Sequence, residues 1–220
     1  MVEKQALVEH LSQFVLERRL ELFKNIISNR TRYITVVLED VFQAQNASAV
    51  LRTCECFGIQ DIHMIQNKNK FKLDKEVTMG SDKWLNLHSH KNTLTTIKSL
   101  KSNGYRIIAT APGINNSGLF DLDLKPGKLA LLFGTELTGL SEEAIVNSDE
   151  LVSIPIFGFT ESYNISVSVA LSLQYLVKSL HDTSAIDWKL SENEYYDLLI
   201  SWLRKSIRKS DLIEKKFLNS

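Results

Sequence analysis

Cysteine, proline and glycine are scarce in this chain, and long apolar runs are missing. Its 220 residues include two cysteines, three prolines and nine glycines. Cys54 and Cys56 stand two positions apart, which is too close for a disulfide between them to stabilise the fold and does not match the spacing of a zinc site. We therefore expect a reduced, metal-free protein. The apolar runs at 34–38 and 129–133 are far shorter than the ~18 residues needed to span a bilayer. Charged residues lie close behind Met1, where a signal peptide is apolar, so the sequence predicts a cytoplasmic protein without a membrane partner.

An excess of one charge sign is also missing. Twenty-six lysines and arginines balance twenty-six aspartates and glutamates, which excludes the overall basic surface of many nucleic-acid binders. A nucleic acid would have to be held by local patches, and the sequence offers two, in residues 18–32 and 203–209. Solvated helix surface is the alternative for both. The candidate RNA-binding cations in these patches are Arg18, Arg19, Arg30, Arg204, Lys205 and Arg208.

The remaining pattern alternates short apolar strands with longer helices. Strands are predicted at 34–38, 60–66, 106–110, 129–133 and 151–154, and helices at 46–57, 92–101 and 165–180. This alternation predicts an α/β domain with a mostly parallel sheet and helices on both faces. Amphipathic segments flank the domain. We therefore divide the chain into an N-terminal helical extension (1–30), a core domain (31–181) and a C-terminal helical extension (182–220).

Three segments carry polar side chains suited to chemistry, and the first follows the first strand. Asn46 stands where a helix N-cap belongs, and Arg52 follows six residues later among small and apolar neighbours. This pattern predicts that Arg52 lies in largely buried company. The alternative is an arginine whose stem packs while its charged head reaches solvent or a carboxylate.

The second segment joins a buried strand to a helix through a loop with two glycines. Gly134 and Gly139 would let a ligand approach the backbone. Glu136, between them, would repel a phosphate, so a neutral or cationic ligand fits better. Ser141 is predicted to begin the next helix. Ligands of open parallel sheets bind beyond the carboxyl ends of the strands, where this loop lies. An ordinary strand-to-helix turn is the alternative.

The third segment leads from residue 154 into a long apolar helix. Ser162 or Asn164 would cap that helix, and a cap needs no further function. Ser166 and Ser168 add polar groups to the opening turn, more than one cap requires. A binding site is therefore the second interpretation of this segment.

Taken in this order, the three segments resemble the motifs of the SPOUT class of methyltransferases, and specifically the TrmH family of RNA ribose 2′-O-methyltransferases. The residues that carry the resemblance are Asn46, Ala49 and Arg52 in the first motif, Gly134, Glu136, Gly139, Leu140 and Ser141 in the second, and residues 154–166 in the third. Residues 80–85, with Lys83 and Trp84, further resemble the tRNA branch of that family. Members of that branch methylate the ribose 2′-hydroxyl of a guanosine in the tRNA D-loop, at position 18.

The resemblance implies a sheet whose C-terminal part is threaded into a deep trefoil knot. It also implies a homodimer that acts on tRNA, not DNA, and binds S-adenosylmethionine in the knot. By position, the implied cofactor contacts are Thr110, Gly134, Ile154 and Tyr163, the last standing where the family usually has leucine. The implied catalytic residues are Arg52, Asn46, Glu136, Ser162 and Asn164. Because a guanidinium is a poor base, we expect Arg52 to bind a phosphate and polarise the hydroxyl.

Other functions remain open at the level of the sequence. A dinucleotide-dependent oxidoreductase would need a glycine-rich turn after the first strand, and residues 39–42 supply none. A non-catalytic RNA-binding module would lack affinity for S-adenosylmethionine. Ribosomal RNA is the alternative substrate within the family. Relatives that act on it often carry an RNA-binding domain, for which about 30 N-terminal residues leave no room, so the sequence favours tRNA.

Overall fold

The chain folds into two compact units. The structure is a computed structural model that describes residues 2–41, 43–68, 73–113 and 117–218. Met1–Thr31 and Lys189–Ser220 form a helical unit, and Arg32–Trp188 form a sheet unit. The two terminal segments, predicted as separate extensions at 1–30 and 182–220, thus come together in one unit. Residues 182–188 belong to the sheet unit instead.

The sheet unit is built on seven strands within the described part of the chain. They are β1 (Ile34–Glu39), β2 (Asp61–Ile65), β3 (Asn86–His90), β4 (Tyr105–Thr110), β5 (Ser117–Gly118), β6 (Lys128–Phe133) and β7 (Glu150–Ser153). Their order in the sheet is β3-β2-β1-β6-β4-β7-β5. All neighbouring strands pair in parallel. Val36, for example, lies opposite Ile62 of β2 and Leu131 of β6. The predicted α/β class with a parallel sheet is confirmed.

Helices cover both faces of this sheet. The helices of the sheet unit are α3 (Ala44–Cys56), α4 (Lys75–Thr78), α5 (Thr93–Ser102), α6 (Glu142–Val146) and α7 (Ile165–Asp182), with short 3₁₀ turns at Ser81–Trp84 and Leu119–Asp121. Alternate side chains of a strand point to opposite faces. Val36 and Leu38 therefore share one core cluster with Val50 of α3, whereas Val37 shares the other with Ile97 of α5. β1 is buried along its whole length as a result.

Several elements differ from the sequence-based expectation. The short β5 and α4 were not predicted, and α3 and β3 are the more instructive cases. α3 begins at Ala44, with Gln43 in the cap position, so the prediction of Asn46 as the N-cap is wrong and Asn46 lies in the first helical turn. β3 was not expected because it is a polar strand at the edge of the sheet, with partly exposed residues along its length. An edge strand buries too little surface to leave the apolar pattern that identifies central strands.

The sheet order brings the candidate site together. β6 lies between β1 and β4, and β7 lies between β4 and β5, although they come later in the chain. Because these strands are parallel, their carboxyl ends meet at one edge of the sheet. The loops after β6 and β7 and the first turns of α3 and α7 follow from that edge. The knot implied by the resemblance concerns the path of these loops and stays a prediction.

The helical unit contains, in its described part, α1 (Val2–Ser12), α2 (Glu17–Ile27), α8 (Glu192–Ser206) and α9 (Ser210–Leu218). A capping box begins α8, because Ser191 and Glu194 each accept a hydrogen bond from the backbone N–H of the other. Trp202 of α8 is buried, and Phe23 of α2 meets its ring edge-on at 5.6 Å. None of the helices in the described residues is long and apolar enough to cross a membrane.

Candidate active site

The loop after β6 is a tight turn whose shape depends on two glycines. Thr135 and Gly139 exchange two backbone hydrogen bonds of 3.0 Å each, which leaves Glu136 exposed near the tip of the turn. A Cβ atom at Gly134 would lie 2.1 Å from the carbonyl carbon of Gly139. Gly139 itself has a φ of +67°, in the left-handed region that favours glycine. Both glycines therefore serve the turn itself.

Asn164 joins the three segments that the sequence singled out. It is the N-cap of α7, and its Oδ1 accepts hydrogen bonds from the backbone N–H and the hydroxyl of Ser166, at 2.9 and 2.6 Å. Its Nδ2 donates to Asn46 Oδ1 at 3.1 Å and to Glu136 Oε1 at 2.5 Å. Asn46 can accept this bond because it lies inside the first turn of α3, where its amide also donates to Gln43 at 2.6 Å. Three of the five predicted catalytic residues are thus in direct contact.

A cleft of about 390 Å³ lies beside this contact, a volume in the range of small-molecule sites. Thr110, Gly134 and Tyr163 line it, together with Ser162 and Glu136. Ile154 lines a smaller recess that shares Thr110, Ser162 and Tyr163 with the cleft. The four predicted cofactor residues and the predicted Ser162 therefore surround one continuous depression at the carboxyl edge of the sheet.

Two of the lining side chains are held by hydrogen bonds to the backbone. The hydroxyl of Thr110 donates to the carbonyl of Leu132 at 2.7 Å, and the hydroxyl of Tyr163 donates to the carbonyl of Pro155 at 3.2 Å. Both hydrogen bonds fix the orientation of a polar side chain at the rim of the cleft, and the cleft stays open. The site is therefore shaped before any ligand arrives.

Arg52 is the predicted catalytic residue that the structure places on an exposed helix surface. The buried face of α3 is formed by other residues, among them Ala47, Val50 and Leu51, and Arg52 is exposed. The prediction that Arg52 has buried surroundings is wrong, and its exposure fits the alternative, in which the charged head reaches solvent. Val50 and Leu51 stand two positions and one position before Arg52, and residues so spaced do not share a helix face. Within the described part of the chain, Arg52 neither lines the cleft nor makes a hydrogen bond or ion pair. Its guanidinium is open to solvent.

Sequence reasoning missed several residues of this region. Phe133, Ala111 and Pro112 also line the cleft, and Glu39 binds the second segment through Ser141. Their position could have identified them, because each lies at or just beyond the carboxyl end of a strand or in the loop after it. Chemistry alone does not single out apolar lining residues.

The six candidate RNA-binding cations have different environments. Arg18 and Arg19 of α2, and Lys205 and Arg208 near the end of α8, are exposed. Arg204 is exposed too, but its guanidinium pairs with both carboxylate oxygens of Glu214, with Nε at 2.8 Å from Oε2. The exposed cations of α2 and α8 are thus the ones placed to meet a solvent-borne phosphate.

Arg30 corrects the sequence prediction. Only 1% of this residue is exposed, and its guanidinium carbon lies 5.3 Å from the ring centroid of Trp202. A cation in this position stabilises the helical unit through the face of the indole ring. It has no surface to offer to RNA, so its assignment as an RNA-binding residue is wrong.

Comparison with known proteins identifies similar chains over nearly the whole length. Residues 33–174 match the model of the SpoU rRNA Methylase family. The chain is 43% identical over 204 residues to a tRNA (guanosine(18)-2'-O)-methyltransferase from Borreliella burgdorferi, covering 93% of each chain. A TrmH/SpoU tRNA modifying enzyme from A. aeolicus superposes with a TM-score of 0.78 at 26% identity, covering 88% of this chain and 98% of that one.

A more distant structure shares the fold alone. The SpoU methyltransferase AviRb from Streptomyces viridochromogenes, solved in complex with AdoMet, has a TM-score of 0.58 at 17% identity. The match covers 71% of this chain and 61% of that one.

Proposed function

The chain belongs to the SpoU rRNA methylase family, and we propose that it uses S-adenosylmethionine to methylate the ribose 2′-hydroxyl of the guanosine at position 18 in the tRNA D-loop. The observation that carries this proposal is the contact of Asn46, Glu136 and Asn164 beside the cleft. Side chains from three distant segments meet there, at the edge of the sheet where ligands bind. The relative with that activity is similar across 93% of its own length, which favours tRNA over ribosomal RNA.

The residues of the cleft suit S-adenosylmethionine. Two carboxylates, Glu136 and Glu161, are among the described residues that line it, whereas no lysine or arginine is. Such a lining favours a cationic sulfonium and disfavours a phosphate-bearing cofactor. When bound, S-adenosylmethionine supplies an electrophilic methyl group. Thr110, Gly134, Ile154 and Tyr163 would hold it, as they surround the cleft and its recess.

The chain's own task in this reaction is to align the hydroxyl and accommodate its proton. Alignment of reacting groups is worth up to ~7–11 kcal/mol in favourable cases. Asn46, Glu136 and Asn164 form a connected polar group that orients the ribose, and Ser162 completes the pocket from the loop before α7. Arg52 binds the phosphate beside the target ribose and lowers the pKa of the hydroxyl through its charge, because a guanidinium is a poor base. The proton that the hydroxyl loses on methylation passes to water.

The substrate and the assembly state complete the proposal. Exposed cations of the helical unit would bind tRNA phosphates. The chain would act as a homodimer in the cytoplasm, with the C-terminal part of its sheet unit knotted. Val167 and Leu171 support a homodimer, because they lie one turn apart on α7 and are 43% and 41% exposed, although seven other residues of that helix are buried in the sheet unit. Exposed apolar neighbours on a core helix mark a surface suited to a partner.

The test of this function is methyl transfer to defined RNA. Purified protein is incubated with radiolabelled S-adenosylmethionine and a tRNA transcript that has guanosine at position 18. We expect label in this transcript and none in a matched transcript with 2′-deoxyguanosine at that position. Label in ribosomal RNA but not in tRNA would support the alternative substrate, and an absence of both label and calorimetric cofactor binding would refute the enzymatic function.

A further inference from the structure

Glu39, the last residue of β1, has a buried carboxylate with three hydrogen-bond donors. Only 3% of the residue is exposed. Its Oε2 accepts a bond from the backbone N–H of Ser141 at 2.8 Å. Its Oε1 accepts bonds from the hydroxyl of Ser141 at 2.8 Å and from the hydroxyl of Thr93. A buried carboxylate is costly unless it is hydrogen-bonded, so the fold depends on these donors being in place.

Two of the three donors belong to Ser141, which ends the loop that carries Glu136. The hydroxyl oxygen of Ser141 also accepts a bond from the backbone N–H of Ala144 at 3.1 Å, so it caps α6 as the sequence predicts. Because its proton points to Glu39, its lone pairs are left for that amide. Glu39 thus fixes the end of the loop, while the close backbone contact at Gly134 fixes its start.

This loop forms the wall between two cavities. The cleft of about 390 Å³ lies on one side, and a second cavity of about 530 Å³, lined in part by Glu39, lies on the other. Thr135, Leu137 and Gly139 of the loop line both. A displacement of the loop would therefore reshape the cleft and move Glu136 away from Asn164 at the same time.

We propose that Glu39 is a positioning residue for the methyl transfer. Its carboxylate holds residues 134–141 in the conformation that forms the cofactor cleft and keeps Glu136 within reach of Asn164. Glu39 acts through Ser141 and does not line the cleft itself. This role rests on the proposed function, because the cleft is assigned to S-adenosylmethionine there.

The first test compares Glu39→Ala and Glu39→Gln with the unmodified protein. The glutamine keeps one oxygen for the backbone N–H of Ser141, whereas alanine leaves that N–H without an acceptor. We expect Glu39→Ala to raise the Kd for S-adenosylmethionine, measured by calorimetry, about tenfold and to lower kcat as well. The Kd and kcat of Glu39→Gln should lie between those of Glu39→Ala and those of the unmodified protein. Misplacement of about 1 Å costs up to ~100-fold in rate. Glu39→Gln also keeps the test valid if the alanine variant does not fold.

Thr93→Val is the matched control. It removes one hydrogen bond from the same carboxylate and the bond that Asn67 donates to the Thr93 hydroxyl, and neither of these bonds involves the loop. We expect it to lower Tm while the Kd for S-adenosylmethionine stays within twofold of the unmodified protein. In the absence of cofactor, the Gly139 amide should exchange hydrogen faster in Glu39→Ala and at the original rate in Thr93→Val, because Gly139 bonds to Thr135 only while the loop is closed.

The outcomes separate this inference from the proposed function. If the Glu39 variants and Thr93→Val lower Tm alike and leave both the cofactor Kd and the Gly139 exchange rate unchanged, Glu39 is merely structural and the inference is overturned. If the unmodified protein does not bind S-adenosylmethionine, the proposed function fails. Faster exchange of the Gly139 amide in Glu39→Ala, but not in Thr93→Val, would then still show that Glu39 holds the loop closed.

Discussion

At the residue scale, two arginines that look alike in the sequence have opposite environments. Arg30 is buried against Trp202, whereas Arg52 is exposed on α3 and makes no bond with the described residues. Neighbouring sequence did not separate them, because local charge density does not specify which face of an element meets another element. An arginine left without a partner on the surface is the one available to an incoming phosphate.

Arg52→Ala is expected to abolish measurable methyl transfer while leaving cofactor binding and stability nearly intact. The guanidinium contributes no bond to the fold, and surface substitutions of this kind usually change stability by no more than about 0.5 kcal/mol. Loss of a group that aligns the substrate should lower kcat/KM at least ~100-fold. Single-turnover kinetics, calorimetry with S-adenosylmethionine and thermal denaturation measure the three quantities.

Arg52→Lys is the control for this prediction. It keeps the charge but loses the planar fork that binds a phosphate through two hydrogen bonds, so we expect partial activity. Near-normal turnover of Arg52→Ala would remove Arg52 from the mechanism.

At the scale of the element, the pairing of β2 with β3 brings three histidines together. His63 lies opposite His88 in the register, with stacked rings whose centroids are 4.7 Å apart. Its Nδ1 is 2.9 Å from Nε2 of His90. Burial and the nearby His88 and His90 lower the pKa of His63 to about 4, and burial and His88 also lower the pKa of His90.

The stability of the sheet unit is therefore expected to fall as the pH decreases from about 6.5 to about 4. An unfolded histidine binds a proton near pH 6.5, whereas folded His63 does so only near pH 4. Protons in this interval bind the unfolded chain preferentially, so acid favours unfolding. Between pH 7 and pH 4.5, His63 is expected to lower the free energy of unfolding by about 2–3 kcal/mol. Urea denaturation at these two pH values measures this loss.

His63→Gln isolates the contribution of this one group, since carboxylates also titrate in the same interval. Glutamine retains a hydrogen-bonding side chain but does not titrate, so the loss of stability on acidification should be smaller in the variant. Equal losses in both proteins would show that His63 does not titrate abnormally.

Elements differ in how far the sequence specifies them. α7 was predicted at 165–180 and runs from Ile165 to Asp182, because a long apolar pattern with a polar cap is decided locally. β3 was missed, because its residues form a strand only through pairing with β2. The start of α3 was misplaced by the strong preference of asparagine for the cap position, which Gln43 occupies without a side-chain hydrogen bond.

At the scale of the whole molecule, a net charge of zero conceals an unequal distribution. The helical unit has twelve lysines and arginines against nine aspartates and glutamates, whereas the sheet unit has fourteen against seventeen. The excess of positive charge thus lies in the unit that contains the exposed candidate cations. This distribution supports the proposal that tRNA is held by the helical unit.

The affinity for tRNA is expected to fall steeply with salt. Each phosphate contact contributes a slope of roughly −0.7 to −0.9 to log K against log salt. Contacts by Arg18, Arg19, Lys205 and Arg208 would together give a slope of about −3. Filter binding or fluorescence anisotropy between low and physiological salt measures this value.

Two variants test which cations are involved. Arg18→Ala combined with Arg19→Ala should reduce the steepness of the slope by about 1.5. Arg30→Met should lower Tm without changing the slope, because Arg30 is buried against Trp202. A salt-independent affinity of the unmodified protein would eliminate the helical unit as the RNA-binding surface.

The α/β class, most strands and helices, the three segments of the site and the cap at Ser141 could be predicted from the sequence, because they depend on apolar periodicity and short-range hydrogen bonding. Which of these polar residues come into contact could not be predicted in this way, because it depends on how distant segments pack. The order of the strands places Asn46, Glu136 and Asn164 in contact, and it brings Glu39 to Ser141 from 102 residues away. It also buries Arg30 and exposes Arg52, because long-range packing, and not local sequence, sets which face of an element is covered.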